Sequence, residues 1–143
     1  MRRATPSTRG RRTILSELDA RKLSNQLKLG VYELIRIGAA RRDFEFRDQI
    51  RNAAASAPRN IAEGFGRYVP REFAQYLRVA NGSLMETSNH LQDGVDRTYF
   101  RPEQIGELQL LARRASAATT RLIKYLQHAS PPNPRTREPK NHP

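Results

Sequence analysis

QIRNAAASAPRNIAEG (Gln49–Gly64) carries two stripes side by side on one helix. At about 100° per residue, Phe46, Ile50, Ala54, Ala57, Ile61 and Gly64 fall on one face, and Gln49, Ser56, Asn60 and Glu63 fall in a narrow strip beside it. Polar groups that close to a core are normally hydrogen-bonded. The strip therefore cross-links neighbouring helices, seals a contact between subunits or lines a site. Pro58 removes one backbone donor, leaves the Ala54 carbonyl free and predicts a bend. The periodicity nevertheless continues across it, so Phe44 to Gly66 reads as one helix with Gly64 and Gly66 as its C-terminal stop.

Working outward, the same period recurs. Upstream, Leu23, Leu27, Val31, Leu34 and Gly38 predict a helix from Ser16 to Ala40. Downstream, Pro70 suits a first helical turn, where its missing N–H costs nothing, and Phe73, Leu77, Ala80, Leu84, Thr87 and Leu91 form a heptad seam. A last helix from Pro102 places Ile105, Leu108, Ala112, Ala115, Thr119, Leu122 and Leu126 on a second seam. No stretch alternates as a strand would. Short links make neighbours antiparallel, so the prediction is an all-α, up-down-up-down four-helix bundle over residues 14–128. Residues 1–13 are expected to be a disordered basic arm and residues 129–143 a disordered Pro-rich tail. Val79 and Met85 lie off the helix-three seam and hint at a subunit contact.

The 143 residues suit one domain, with 26 Lys and Arg against 14 Asp and Glu and a formal net charge of +12. A balance this basic points to polyanions. Residues 1–12 hold five Arg and no acid, and residues 101–128 hold five bases against two acids, so the excess is concentrated in the arm and the last helix. With no cysteine, disulfides and thiolate metal sites are excluded. The chain has neither the apolar run of a secretory signal nor a membrane-length segment, which makes a cytoplasmic protein with no membrane association the expectation.

Catalytic chemistry finds little support. His90, His128 and His142 are too scattered to act together, and Glu63 with Glu86 gives two carboxylates with no third ligand. There is no P-loop, dinucleotide fingerprint or HExxH. The expectation is no enzyme, no cofactor and no metal. Binding reads better. Arg113, Arg114, Arg121 and Lys124 lie within about 100° of one another opposite the helix-four seam. They are either an outward basic stripe or cations offsetting the helix dipole. On helix three Arg71 and Arg78 also point outward, and Arg67 extends them.

QIRNAAASAPRNIAEGFGR (Gln49–Arg67), followed by FAQYLRVANGSLMET (Phe73–Thr87), resembles the signature of the bacterial four-helix-bundle proteins encoded in intervening sequences of large-subunit ribosomal RNA genes. That family includes the accessory variability determinant of diversity-generating retroelements. The likeness extends over roughly residues 20–127. Its pattern lands on Gln49, Ser56, Asn60, Glu63 and Gly64 in helix two and on Gly82, Ser83 and Glu86 in helix three, which are read as structural positions. The resemblance implies a ring-like homopentamer with a basic surface and, for the retroelement members, binding of nucleic acid and of a reverse transcriptase. The combined expectation is a non-enzymatic oligomer that binds RNA or an RNA–DNA hybrid by its phosphates and, in the retroelement branch, partners a reverse transcriptase. The alternative is a self-assembling structural or protein-interaction module.

Overall fold

Four runs of apolar residues spaced three and four apart become four helices: α1 (Thr8–Ile35), α2 (Phe44–Phe65), α3 (Pro70–Asp96) and α4 (Pro102–Ala129). The structure, a computed structural model, describes residues 8–67 and 69–129, with side chains from residue 17 to residue 128 except residue 68. Residues 1–7 of the expected arm and 130–143 of the expected tail lie outside the described residues. The helix α1 starts at Thr8, within the stretch read as an arm. It also stops earlier than Ala40, at Ile35, because Gly38 adopts φ 82, a left-handed conformation that ends a helix. Gly38 therefore belongs to the turn and not to the α1 seam. A short 3-10 turn, Ala39–Arg42, follows.

Local chemistry sets the other ends. Asp43 caps α2, its Oδ1 accepting from the Phe46 N–H at 3.1 Å. Beyond α2, Val69 is extended and Pro70 opens α3. At the far end of α3, Thr98 takes φ 64 while its N–H donates to Val95 O (2.9 Å) and the Tyr99 N–H donates to Gly94 O (2.8 Å). These bonds satisfy the last carbonyls in a left-handed helix stop. α2 is a single helix through Pro58.

Each helix packs on two neighbours, in the order α1, α2, α3, α4 and back to α1, with α1 and α2 meeting least extensively. This is the expected bundle. The core falls into two clusters. One gathers Leu27, Val31, Phe46, Ile50, Leu84, Leu91, Phe100 and Ile105. The other gathers Ile61, Phe73, Leu77, Ala80, Ala118 and Leu122. Fully buried Leu and Ile side chains of this kind each contribute about 1.5–3 kcal/mol of transfer free energy. Both predicted seams are interior, with Leu108 and Leu126 only half-buried. Ser24, Thr87 and Thr119 are buried too, and each returns its hydroxyl proton to the carbonyl four residues back.

Gly64 corrects the reading of it as a helix stop. It is buried inside α2, and a Cβ there would come within 2.7 Å of the Phe73 ring and 3.2 Å of the Tyr76 Cβ. Its missing side chain lets α3 approach. Gly66 alone occupies the C-cap.

Candidate nucleic-acid interface

The polar strip of α2 is divided. Ser83 on α3 donates to the Ser56 hydroxyl at 2.7 Å, and Asn60 Nδ2 donates to the Ser56 carbonyl at 2.8 Å and its hydroxyl at 3.0 Å. The Ser83–Ser56 bond cross-links α2 and α3, and Asn60 braces Ser56 from within α2. Gln49 and Glu63 take no part: Gln49 is exposed and reaches only Glu45, at 3.5 Å, and Glu63 is exposed and pairs with Arg67 at 3.0 Å. Glu63 therefore satisfies no backbone group, because its strip position has rotated past the α3 contact into solvent. Glu86 is exposed, and its carboxylate lies 3.5 Å from His90 Nε2. Gly82 is exposed as well, with open space where a Cβ would be.

Among the proposed cations, Arg67 is the most constrained. Besides Glu63, its Nη2 donates to the Tyr76 hydroxyl at 2.7 Å, and its guanidinium lies 4.9 Å over that ring. It clasps the α2–α3 corner, with its charge neutralised by Glu63. Arg71 and Arg78 are exposed, and Arg78 contacts Gln75 at 3.5 Å.

Arg113, Arg114, Arg121 and Lys124 are all exposed, and none is in an ion pair among the described residues. Arg113 and Arg114 sit in the middle turns of α4, whereas dipole effects fade within the last turn. Macrodipole balance thus fails to account for them. A ladder unannounced by periodicity aligns this stripe with α3. Asn81 Nδ2 donates to Thr120 (3.1 Å), Ser116 donates to Asn81 Oδ1 (3.1 Å), and Gln109 Nε2 donates to the Ser88 carbonyl (3.0 Å). In this antiparallel register Arg78, one turn before Asn81, stands level with Arg121. Arg78 and the α4 cations therefore share one face, and Arg67 lies apart from it.

Two further features escaped the sequence reading. At one end of the bundle, Asp43 Oδ2 accepts from the Tyr99 hydroxyl at 2.6 Å and from Arg97 at 3.3 Å, beside a Phe46 ring packed on Tyr99 and Phe100. The Tyr99 bond, then the Phe46 N–H, then Arg97 hold the Asp43 carboxyl below its ordinary range. Tyr99, as the donor in that bond, is pushed up. The second feature is an open groove of about 610 Å³ between α1 and α2. Its lining includes four cations and no acid.

Among the described residues no three His, Cys, Asp or Glu side chains are grouped to hold a metal ion. No described helix is long and apolar enough to cross a membrane. No curated protein matches the chain. A family model described as "23S rRNA-intervening sequence protein" matches residues 16–121, the greater part of the chain, with all of α2 and α3 and most of α1 and α4. With the bundle, the α2–α3 serine contact and the Phe73–Gly64 approach all inside that span, the chain belongs to the family of 23S rRNA-intervening sequence proteins.

Proposed function

We propose that this protein is a non-enzymatic, oligomeric RNA-binding protein of the cytoplasm that grips phosphates with the outer face of α3 and α4. The observation that carries the reading is the row of exposed cations along α4 from its middle turns onward, Arg113, Arg114, Arg121 and Lys124, which have no carboxylate partner among the described residues and have Arg78 alongside. Some surface arginines elsewhere are paired, as Arg36 is with Glu33 and Arg51 with Asp48. Phosphate contacts of this kind give salt-dependent affinity with little base specificity.

Changing Arg114 and Arg121 together to Ala tests it. Both side chains are solvated, so stability should change by less than about 0.5 kcal/mol per site. RNA affinity should fall, and the slope of log affinity against log salt should become shallower by about 0.7–0.9 for each phosphate no longer neutralised. Unchanged affinity and slope would remove α4 from the interface.

The homopentamer implied by the family likeness belongs to the same proposal, because repeating a weak patch around a ring multiplies avidity. Val79 and Met85, 46% and 69% exposed, flank the open Gly82 surface on α3 and favour a contact between copies. A reverse-transcriptase partner belongs to the retroelement branch alone. A reverse transcriptase gene beside this one would support that branch, and a ribosomal RNA gene around it would reject it.

A further inference from the structure

We infer that the groove between α1 and α2 is a binding site for single-stranded RNA, its phosphates held by Arg21, Lys28 and Arg59 and one base stacked on Tyr32. The inference rests on the RNA-binding reading above and adds a second, structurally different site to it.

The groove arises from spacing and from side-chain size. Arg21, Asn25, Lys28 and Tyr32 recur at intervals of four and three, so they line one edge of α1 over about 16 Å. Facing them on α2 are Ala55, Pro58 and Ala62, whose short side chains leave the space open. Arg59 and Lys22 add charge to the lining. The least extensive helix contact in the bundle, between α1 and α2, is where the groove lies.

Charge and shape select the occupant. Lys22, Lys28 and Arg59 have no ion-pair partner among the described residues, although the protein pairs Arg36, Arg51, Arg67 and Arg97 with acids elsewhere. Arg21 lies 5.0 Å over the Phe65 ring, and its charge also acts on Glu17, one turn away on α1. A polyanion is the complement of such a lining. An open groove of about 610 Å³ is small beside a duplex and suits a short stretch of one strand. Tyr32, at 37% exposure, supplies a ring surface, and a basic groove with an aromatic platform is the arrangement that holds single strands without base readout. On α4 the half-buried Tyr125 lies one turn beyond Arg121 at the side of the stripe, whereas Tyr32 stands within the groove lining among its cations.

The test measures binding of the full chain to a short fluorescein-labelled oligoadenylate and to a hairpin duplex RNA across a salt series. Lys28→Gln with Arg59→Gln should make the single-strand salt slope shallower by about 1.4, two phosphates at roughly 0.7 each. Tyr32→Leu should weaken oligoadenylate binding by about 5- to 150-fold, the range for removing one base stack, while Tyr32→Phe binds as wild type does. Duplex affinity should follow Arg114→Ala with Arg121→Ala instead. If wild type binds oligoadenylate and the groove variants bind it equally well, the groove is not the site and the α3–α4 reading survives. If the groove variants change the particle mass, the groove is a contact between copies and the inference fails. If wild type binds neither RNA, both readings fall.

Discussion

At the residue scale, Ser56, Asn60 and Ser83 show what the polar strip of α2 is for. Helical spacing located the strip, and proximity to the core required partners for it, but spacing could not tell which members face α3. The structure joins Ser56 to Ser83 across the two helices, bonds Asn60 to Ser56 within α2, and leaves Gln49 and Glu63 to solvent. Asn60 also binds the Ser56 carbonyl, two residues before Pro58, reinforcing the backbone next to the position where proline removes a donor. Asn60→Ala should lower stability by about 1 kcal/mol, the typical net value of such a bond, with α2 otherwise intact. Thermal or urea unfolding measures it, and an unchanged midpoint would show that the Ser56–Ser83 contact suffices without Asn60.

At the element scale, the seams of α3 and α4 were readable because apolar residues at heptad spacing can only face inward in a bundle. The ends of α1 were not. Its early start has no apolar signature, and its stop depends on the left-handed turn at Gly38, which looks like a seam position when only spacing is considered. The corner that ties the start of α2 to the α3–α4 turn was equally hidden, since Asp43, Arg97 and Tyr99 are distant in sequence. That corner makes stability pH-dependent. The folded Asp43 pKa is depressed, chiefly by the Tyr99 hydroxyl, so the unfolded chain takes up its proton first. Its stabilisation is complete above the ordinary aspartate value of about 3.9 and is lost as pH falls from there through the lower folded value. Asp43→Asn keeps an N-cap acceptor and should flatten the acid limb of the melting-temperature profile relative to wild type. Coincident acid limbs would mean that the corner contributes nothing to acid stability.

At the scale of the whole molecule, composition made polyanions the first partners to propose, and periodicity placed the α4 cations outward. The alignment of Arg78 with them required the Asn81–Ser116–Thr120 ladder, and the α1–α2 groove required two helices to be laid side by side. Cations at helical spacing on α1 alone look like any solvated face. In the proposed homopentamer these patches would be repeated around a ring. Light scattering in moderate salt should give the mass of five 16.4 kDa chains, and a monomer mass would remove avidity from the account.

The central claim is that RNA lies on the basic faces. Photo-cross-linking of bound RNA carrying a photoactivatable uridine analogue, followed by peptide mass spectrometry, tests it most directly. The account predicts cross-linked peptides from α4 between Arg113 and Lys124 and from α1 around Tyr32. Cross-links confined to the α2–α3 face around Ser56 and Ser83, or none above a neutral control protein, would contradict it.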